Sequence, residues 1–261
     1  MIVHPRVRGV FLTLLKRLSE SPEKLVQKTE EFDKVANMLR NEMKQRKPWM
    51  TRREEERVTI QEVCFTQLLM ENGFRFRSKY SSEDEEHQEE GLIFQFQLNG
   101  SQQGPDFTLG WFVNEDTGMV SPLAVELKSS RKANLSMNDG WFQENVIYLL
   151  SWYQSKLPRV HIGMGHHIRT EADHRFFLRL RQLQQEQNRK IREEKSKNPE
   201  IFIQPTQRAS NHYPCSRFTP DLQRHHLQLL EKAFTLPFLK SIMKIRKKSP
   251  VLNSVEQNRR Q

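Results

Sequence analysis

The chain of 261 residues contains only two cysteines, Cys64 and Cys215, and no Cys-x-x-Cys spacing. That excludes a disulfide framework and a thiolate zinc site, and it points to a reducing setting, cytoplasmic or nucleoid-associated. No run of 18 apolar residues is present, so no membrane-spanning helix is expected. The stretch Val10–Leu15 is too short for a signal peptide and has no small-residue cleavage site after it. There is no internal repeat. Neither a Walker-A string nor a dinucleotide glycine motif occurs, so no nucleotide cofactor is expected. An aromatic-rich RNP-like string, which would argue for RNA, is also missing.

What is present is charge. The chain is 28% charged with a mean hydropathy of −0.78, yet its 16 Phe and 4 Trp argue against disorder over most of its length. Its length allows one elaborated domain or two modest ones. Residues 1–150 hold 20 Lys and Arg against 23 Asp and Glu, whereas residues 151–261 hold 22 against 9. Clustered Lys and Arg favour a polyanion partner, because they release condensed counterions from phosphates. A solvated helical surface carries the same signature. Charge therefore nominates nucleic acid without deciding for it.

Periodicity divides the chain into three parts. Residues 1–50 read as a helical arm: apolar residues recur at helical spacing from Val10 to Leu39, and Ser21-Pro22-Glu23 breaks two helices, the second starting at Pro22. Residues 51–168 read as an α/β core. A helix from about Arg53 to Glu71 stops at Asn72-Gly73, and an acidic loop spans Ser81–Glu90. The pattern then switches to period two, with strands at Leu92–Leu98, Phe107–Val113 and Leu123–Lys128. The turns Asn99-Gly100 and Asn114–Gly118 separate them. Residues 138–153 read as a helix and Arg159–Met164 as a fourth strand. Residues 169–261 read as a basic helical region: a polar helix from Arg175 to about Lys197, a loop over 204–220, a helix pair broken near Pro237 and a frayed tail from Ile245.

The informative segment is Pro105-Asp106, then nineteen residues, then Glu126-Leu127-Lys128. Glu126 and Lys128 are two apart on a strand, hence on one face. The five-residue turn makes the second and third strands a hairpin, so Asp106 near its open end can lie close to Glu126. Two carboxylates on adjacent strands suit Mg²⁺, a hard cation that takes oxygen ligands, and the Leu127 carbonyl between them is a further ligand candidate. Lys128 is then within reach of a scissile phosphate and of the nucleophile. Glu-x-Lys also occurs at Glu42-Met43-Lys44 and Glu193-Glu194-Lys195, in charged helical stretches where the pair carries no meaning.

Pro105-Asp106…Glu126-Leu127-Lys128, set in the order helix, three antiparallel strands, helix, strand between Thr59 and Met164, resembles the PD-(D/E)xK nuclease signature of many type II restriction endonucleases. The resemblance implies a restriction-endonuclease-like core, a central mixed β-sheet flanked by helices, with helical additions at both ends. It implies a Mg²⁺-dependent hydrolase (Mn²⁺ substituting) that cuts DNA phosphodiester bonds to leave 5′-phosphates. Asp106 and Glu126 would be the metal carboxylates and Lys128 the catalytic lysine. Family members often add a carboxylate from the preceding helix, for which Glu62 is the best placed residue and Glu71 the reserve. Recognition residues follow this strand in some members, which nominates Ser130, Arg131, Lys132, Asn134 and Asn138 as DNA contacts. Double-stranded DNA would be the partner, and a palindromic site would call for a homodimer. A repair, recombination or viral nuclease shares the same core, and a non-catalytic nucleic-acid-binding protein would explain the basic half alone.

The histidines are read more plainly. His166-His167 has no third ligand at a zinc-like spacing, and the adjacent His225-His226 cannot share a helix face.

Overall fold

The alternation of Leu92–Leu98, Phe107–Val113 and Leu123–Lys128 becomes a meander of three antiparallel strands, β2 (Gly91–Phe96), β3 (Phe107–Phe112) and β4 (Met119–Ser130). The computed structural model describes residues 3–46, 58–78, 89–97, 105–137, 142–153, 158–198 and 211–235. Residues 53–57, most of the acidic loop, the Asn99-Gly100 turn, Asn138, residues 204–210, the break near Pro237 and the tail from Ile245 lie outside the described residues.

The hairpin between β3 and β4 is closed by Asn114, whose side chain accepts from Thr117 N–H at 2.8 Å, and by Gly118 at φ 68°. A positive φ at Ser121 and a register shift between Leu109 and Trp111 let β4 run four residues further back than the alternation predicts. Phe94, Phe96, Phe107, Leu109, Leu123 and Val125 are all buried and share one core. Each such side chain contributes about 1.5–3 kcal/mol by leaving water.

Helices cover that face. In α1 (Pro5–Glu20) the proline occupies the first helical position, and Val7, Phe11, Leu14, Leu15 and Leu18 form the buried stripe. The second helix begins later than the proline signal predicts. Pro22–Leu25 is a single 3₁₀ turn, and α2 spans Phe32–Arg46. Tertiary contacts explain the delay, because Leu25 is fully buried and the intervening chain lies across the next helix, where Gln67 donates to Thr29 Oγ1 at 2.5 Å. That next helix, α3 (Ile60–Glu71), is buried from Glu62 through Leu69. It ends where Asn72-Gly73 predicts, with Gly73 at φ 84°.

The largest departure from the sequence reading is residues 138–153. Residues 146–152 are a strand, β6 (Val146–Trp152), not a helix. All seven of its residues are buried, because β6 is parallel to β4 in the sheet interior and faces a core on each side. A strand buried on both faces is a continuous apolar run, which periodicity cannot separate from a buried helix. Among the described residues, the connection from β4 to β6 carries a strand, β5 (Asn134–Met137), rather than a helix.

The sheet is completed by β1 (Arg75–Phe76) and β7 (Arg159–Met164), giving the order β1-β2-β3-β4-β6-β7. It is a six-stranded mixed sheet in an α/β arrangement. One turn of helix, α4 (Gly165–Ile168), leads to α5 (Glu171–Lys197), which starts at a Thr170/Asp173 capping box four residues earlier than predicted. Residues 211–214 form β8 (Asn211–Pro214), paired with β5, where the sequence reading expects loop. The final described helix, α6 (Pro220–Thr235), packs on β7 and adds Leu230 and Phe234 to the first core. Leu135, Phe142, Tyr148, Leu150, Trp152, Tyr213 and Phe218 build a second core on the other face. Among the described residues no helix is long and apolar enough to cross a membrane.

Candidate active site

The last ladder pair of the hairpin is Phe107 with Val125, so Asp106 and Glu126 are the next residues to meet. Beyond that pair the ladder gives way to bonds between side chain and backbone. Asp106 N–H donates to Glu126 Oε2 at 3.1 Å, and Leu127 N–H donates to Asp106 Oδ2 at 2.8 Å. The two carboxylates thus hold the hairpin's open end together. Within an antiparallel strand the N–H and C=O of one residue face the same neighbour, so the Leu127 carbonyl is turned to the Asp106 side as well.

Lys128, on the same strand face as Glu126, forms an ion pair with Glu126 Oε1. Their side chains are 23% and 12% exposed, so the lysine is the more accessible of the two. Ser151 Oγ donates to the Lys128 carbonyl at 3.3 Å and ties this part of β4 to β6.

Glu62 reaches the cluster from α3. It is the N3 residue of a capping box in which Thr59 N–H donates to Glu62 Oε2 at 2.5 Å and Glu62 N–H donates to Thr59 Oγ1 at 3.2 Å. Its other oxygen accepts from Gln97 Nε2 at 3.1 Å. The structure therefore brings Asp106, Glu126, Lys128 and Glu62 together. Glu71 is at the other end of the same helix, nine residues and roughly 13 Å along the axis.

Electrostatics bind the acidic residues into one unit. Burial pushes the Asp106 carboxyl well above the usual carboxylate range, and the charges of Glu126 and Glu62 push it the same way. The Leu127 N–H and the Lys128 ammonium oppose that shift. Burial also raises Glu62, against the bonds from Thr59 and Gln97, and the Glu126 charge adds to the rise.

The predicted DNA-contact residues follow directly. Ser130 Oγ accepts from Lys132 N–H at 3.0 Å and donates to the Asn134 carbonyl at 2.6 Å, which shapes the turn into β5. Arg131, Lys132 and Asn134 are exposed on that turn, and Asn138 lies outside the described residues.

The residue the sequence reading missed is Gln97. It reads as one polar position in the alternation of β2, and nothing in the local pattern marks it. Its backbone φ is 44°, in the left-handed region that glutamine rarely adopts and that costs on the order of 1–3 kcal/mol. The Thr59-x-x-Glu62 capping box, in contrast, is a signal the sequence does carry.

No family model matches the chain, and no curated protein or solved structure matches it.

The donor chemistry of the cluster suits a hard divalent ion: carboxylates, a turned-in backbone carbonyl and the buried, unbonded Oε1 of Gln97. Among the described residues no group of three or more His, Cys, Asp and Glu side chains stands in metal-holding geometry. The carboxylates are instead bonded to the protein's own donors.

A second polar cluster lies under α6. His161 and His226 are both buried, and His161 Nε2 lies 2.8 Å from His226 Nδ1. Burial, with neighbouring His and Arg217 charges, lowers His161 to about 3 and His226 to about 4, and His167 falls to about 3 from burial and the histidines beside it. All three are neutral at physiological pH.

Proposed function

We propose that the chain is a Mg²⁺-dependent nuclease with a restriction-endonuclease-like core, hydrolysing DNA phosphodiester bonds to leave 5′-phosphates. The observation that carries this reading is the meeting of Asp106, Glu126, Lys128 and Glu62 at the open end of one hairpin. An exposed strand face of ordinary charge would not gather three carboxylates, one buried and two half-buried, around a single ammonium, because that leaves more negative charge than Lys128 offsets.

Asp106, Glu126 and the Leu127 carbonyl would hold the ion, with Glu62 behind them. Bound there, Mg²⁺ (or Mn²⁺) acidifies water and offsets phosphate charge. Lys128, a partly exposed side chain paired with Glu126, would orient the attacking water and donate to a phosphate oxygen as charge develops on it. The exposed turn Arg131–Asn134 follows the site strand directly and would supply contacts to the duplex. The connection between β4 and β6 departs from the pattern that the resemblance implies, since the helix expected over 138–153 is strand at residues 146–152 and β5 precedes it.

The most specific form of the proposal is a type II restriction endonuclease acting as a homodimer on a palindrome. Plasmid and phage DNA incubated with the protein and Mg²⁺ test it, with EDTA and Glu126→Ala as controls. Discrete fragments lost in both controls support a site-specific enzyme. Smears lost in both retain the nuclease and remove the restriction assignment. Intact DNA with persistent gel retardation overturns catalysis in favour of a DNA-binding protein.

A further inference from the structure

Gln97 directly follows β2 and lies opposite Asp106. Phe96 pairs with Phe107, and the Gln97 N–H donates to the Asp106 carbonyl at 2.7 Å. Gln97, Asp106 and Glu126 therefore form one row across the end of the sheet, on three adjacent strands or their extensions. In a regular strand Gln97 would point away from the face on which Phe96 is buried. Its left-handed φ of 44° breaks that alternation, and the side chain reaches Glu62 at the start of α3.

Gln97 as a residue is 6% exposed, and only half of its amide is used. Nε2 donates to Glu62 Oε1, whereas Oε1 is buried and has no hydrogen-bond partner. Reversing the amide would set two oxygens against each other, so the carbonyl is the end left over. Buried amide oxygens are bonded in the great majority of cases, so this one calls for a donor or a cation, and beside Glu62 and opposite Asp106 a cation also offsets the carboxylate charge.

We propose that Gln97 supplies its side-chain carbonyl as a neutral oxygen ligand, completing with Glu62, Asp106 and Glu126 an all-oxygen site for a divalent cation. This deepens the nuclease reading and rests on it. The residue type fits the charge count. Hard divalent ions accept amide oxygens, and a neutral fourth donor avoids adding a fourth negative charge to the cluster. The same amide then serves both ends: its N–H₂ orients Glu62 and its oxygen faces the cation.

Mn²⁺ binding to the full-length protein without DNA tests this, by titration calorimetry and electron paramagnetic resonance, with melting temperatures measured alongside. Gln97→Asn and Gln97→Gly tolerate the left-handed backbone and remove the reach. Both are expected to bind Mn²⁺ on the order of tenfold or more weakly than the parent protein. Without the ion they are expected to melt no lower than it does. Gln97→Glu keeps an oxygen at the same reach, so it is expected to bind Mn²⁺ at least as tightly, but to melt lower without the ion because it faces Glu62. Parent-like Mn²⁺ binding by the Asn and Gly variants overturns the ligand assignment and leaves the acidic centre standing. Loss of binding in Gln97→Glu also overturns it, in favour of a role in holding Glu62 alone. Absent Mn²⁺ uptake by the parent protein, or uptake that Glu126→Ala leaves unchanged, overturns both readings.

Discussion

The backbone N–H of Asp106 donates to Glu126 Oε2 at 3.1 Å, so two acidic residues twenty positions apart close the open end of the β3–β4 hairpin. Each carboxylate accepts a backbone bond that a neutral amide could accept as well, while both together carry charge that the fold would shed. That separates what the site contributes to stability from what it contributes to chemistry.

Asp106→Asn is therefore expected to melt higher than the parent protein at pH 8 while losing Mg²⁺-dependent cleavage. The Asn side-chain oxygen can still accept from Leu127 N–H, and the repulsion from Glu126 and Glu62 is gone. A carboxyl whose folded pKa is raised contributes stability that is lost as pH rises through that pKa, so the variant's advantage should be largest at high pH and fade towards pH 4. The gain should be about 2–4 °C, the response of a domain of this size to ~1 kcal/mol. Thermal melts at pH 8 and pH 4.5 check it. An equal or lower melting temperature at pH 8 would show that the carboxylates do not repel as the burial implies.

Much of the site was legible because it is built from regular elements. Asp106, Glu126 and Lys128 could be placed from a strand, a five-residue turn and a strand, and period-two alternation fixed which residues share a face. Gln97 was not legible, since its role depends on a left-handed backbone angle and on Glu62, which is 35 positions away. The fold shows the same division. Amphipathic α1 and the strands β2 and β4 have patterns with one clear period, but Val146–Trp152 is apolar on both faces and carries no period to read. The strand β8 pairs with β5 across more than 70 residues, a relationship outside any local window.

Glycine substitutions should show how tightly the β6–β7 end is packed. A Cβ on Gly165 would lie 1.9 Å from the Gln143 carbonyl oxygen, which belongs to backbone and cannot swing aside. Gly165→Ala should cost more than about 2 kcal/mol, in the range of overpacked core positions. Gly9 lies within α1 with nothing within 4 Å of its Cβ position. Gly9→Ala should stabilise by roughly 0.4–1 kcal/mol through helix propensity and reduced unfolded-state entropy. Urea denaturation of the two variants, read at unchanged slope, gives both signs; a mild effect at Gly165 would mean that the Gln143 segment yields.

The buried histidines make stability depend on pH in the sense opposite to Asp106. His161, His167 and His226 are held neutral, with folded values of about 3, 3 and 4 against an ordinary value near 6.5. A group with a depressed histidine pKa takes up more protons when unfolded, so its contribution is complete above about pH 6.5 and is lost as pH falls towards 4. His161→Phe removes one such group and keeps a ring against Phe218, whose centroid is 4.6 Å away. The difference in unfolding free energy between parent and variant should shift in the variant's favour by ~1 kcal/mol or more between pH 7.5 and pH 5. Parallel curves across that interval would show that His161 is not held neutral.

The long helix α5 should contribute affinity for DNA without contributing cleavage. It carries eight Lys and Arg against five Asp and Glu, and Phe176, Leu180 and Leu183 remain exposed along it. Arg189 and Lys190 pair within the helix, with Glu193 and Glu186, and such exposed pairs contribute little. Phosphates would compete for those cations at small cost. Replacing Arg189, Lys190, Arg192 and Lys195 with Gln should weaken binding to unrelated duplexes by a similar factor. It should also reduce the slope of log affinity against log salt by roughly one for each phosphate no longer neutralised. Rates measured at saturating DNA should stay close to the parent's, because Glu126 and Lys128 are untouched. Fluorescence anisotropy from about 50 to 200 mM salt gives the slope, and a slope identical to the parent's would place the basic face of α5 away from the duplex.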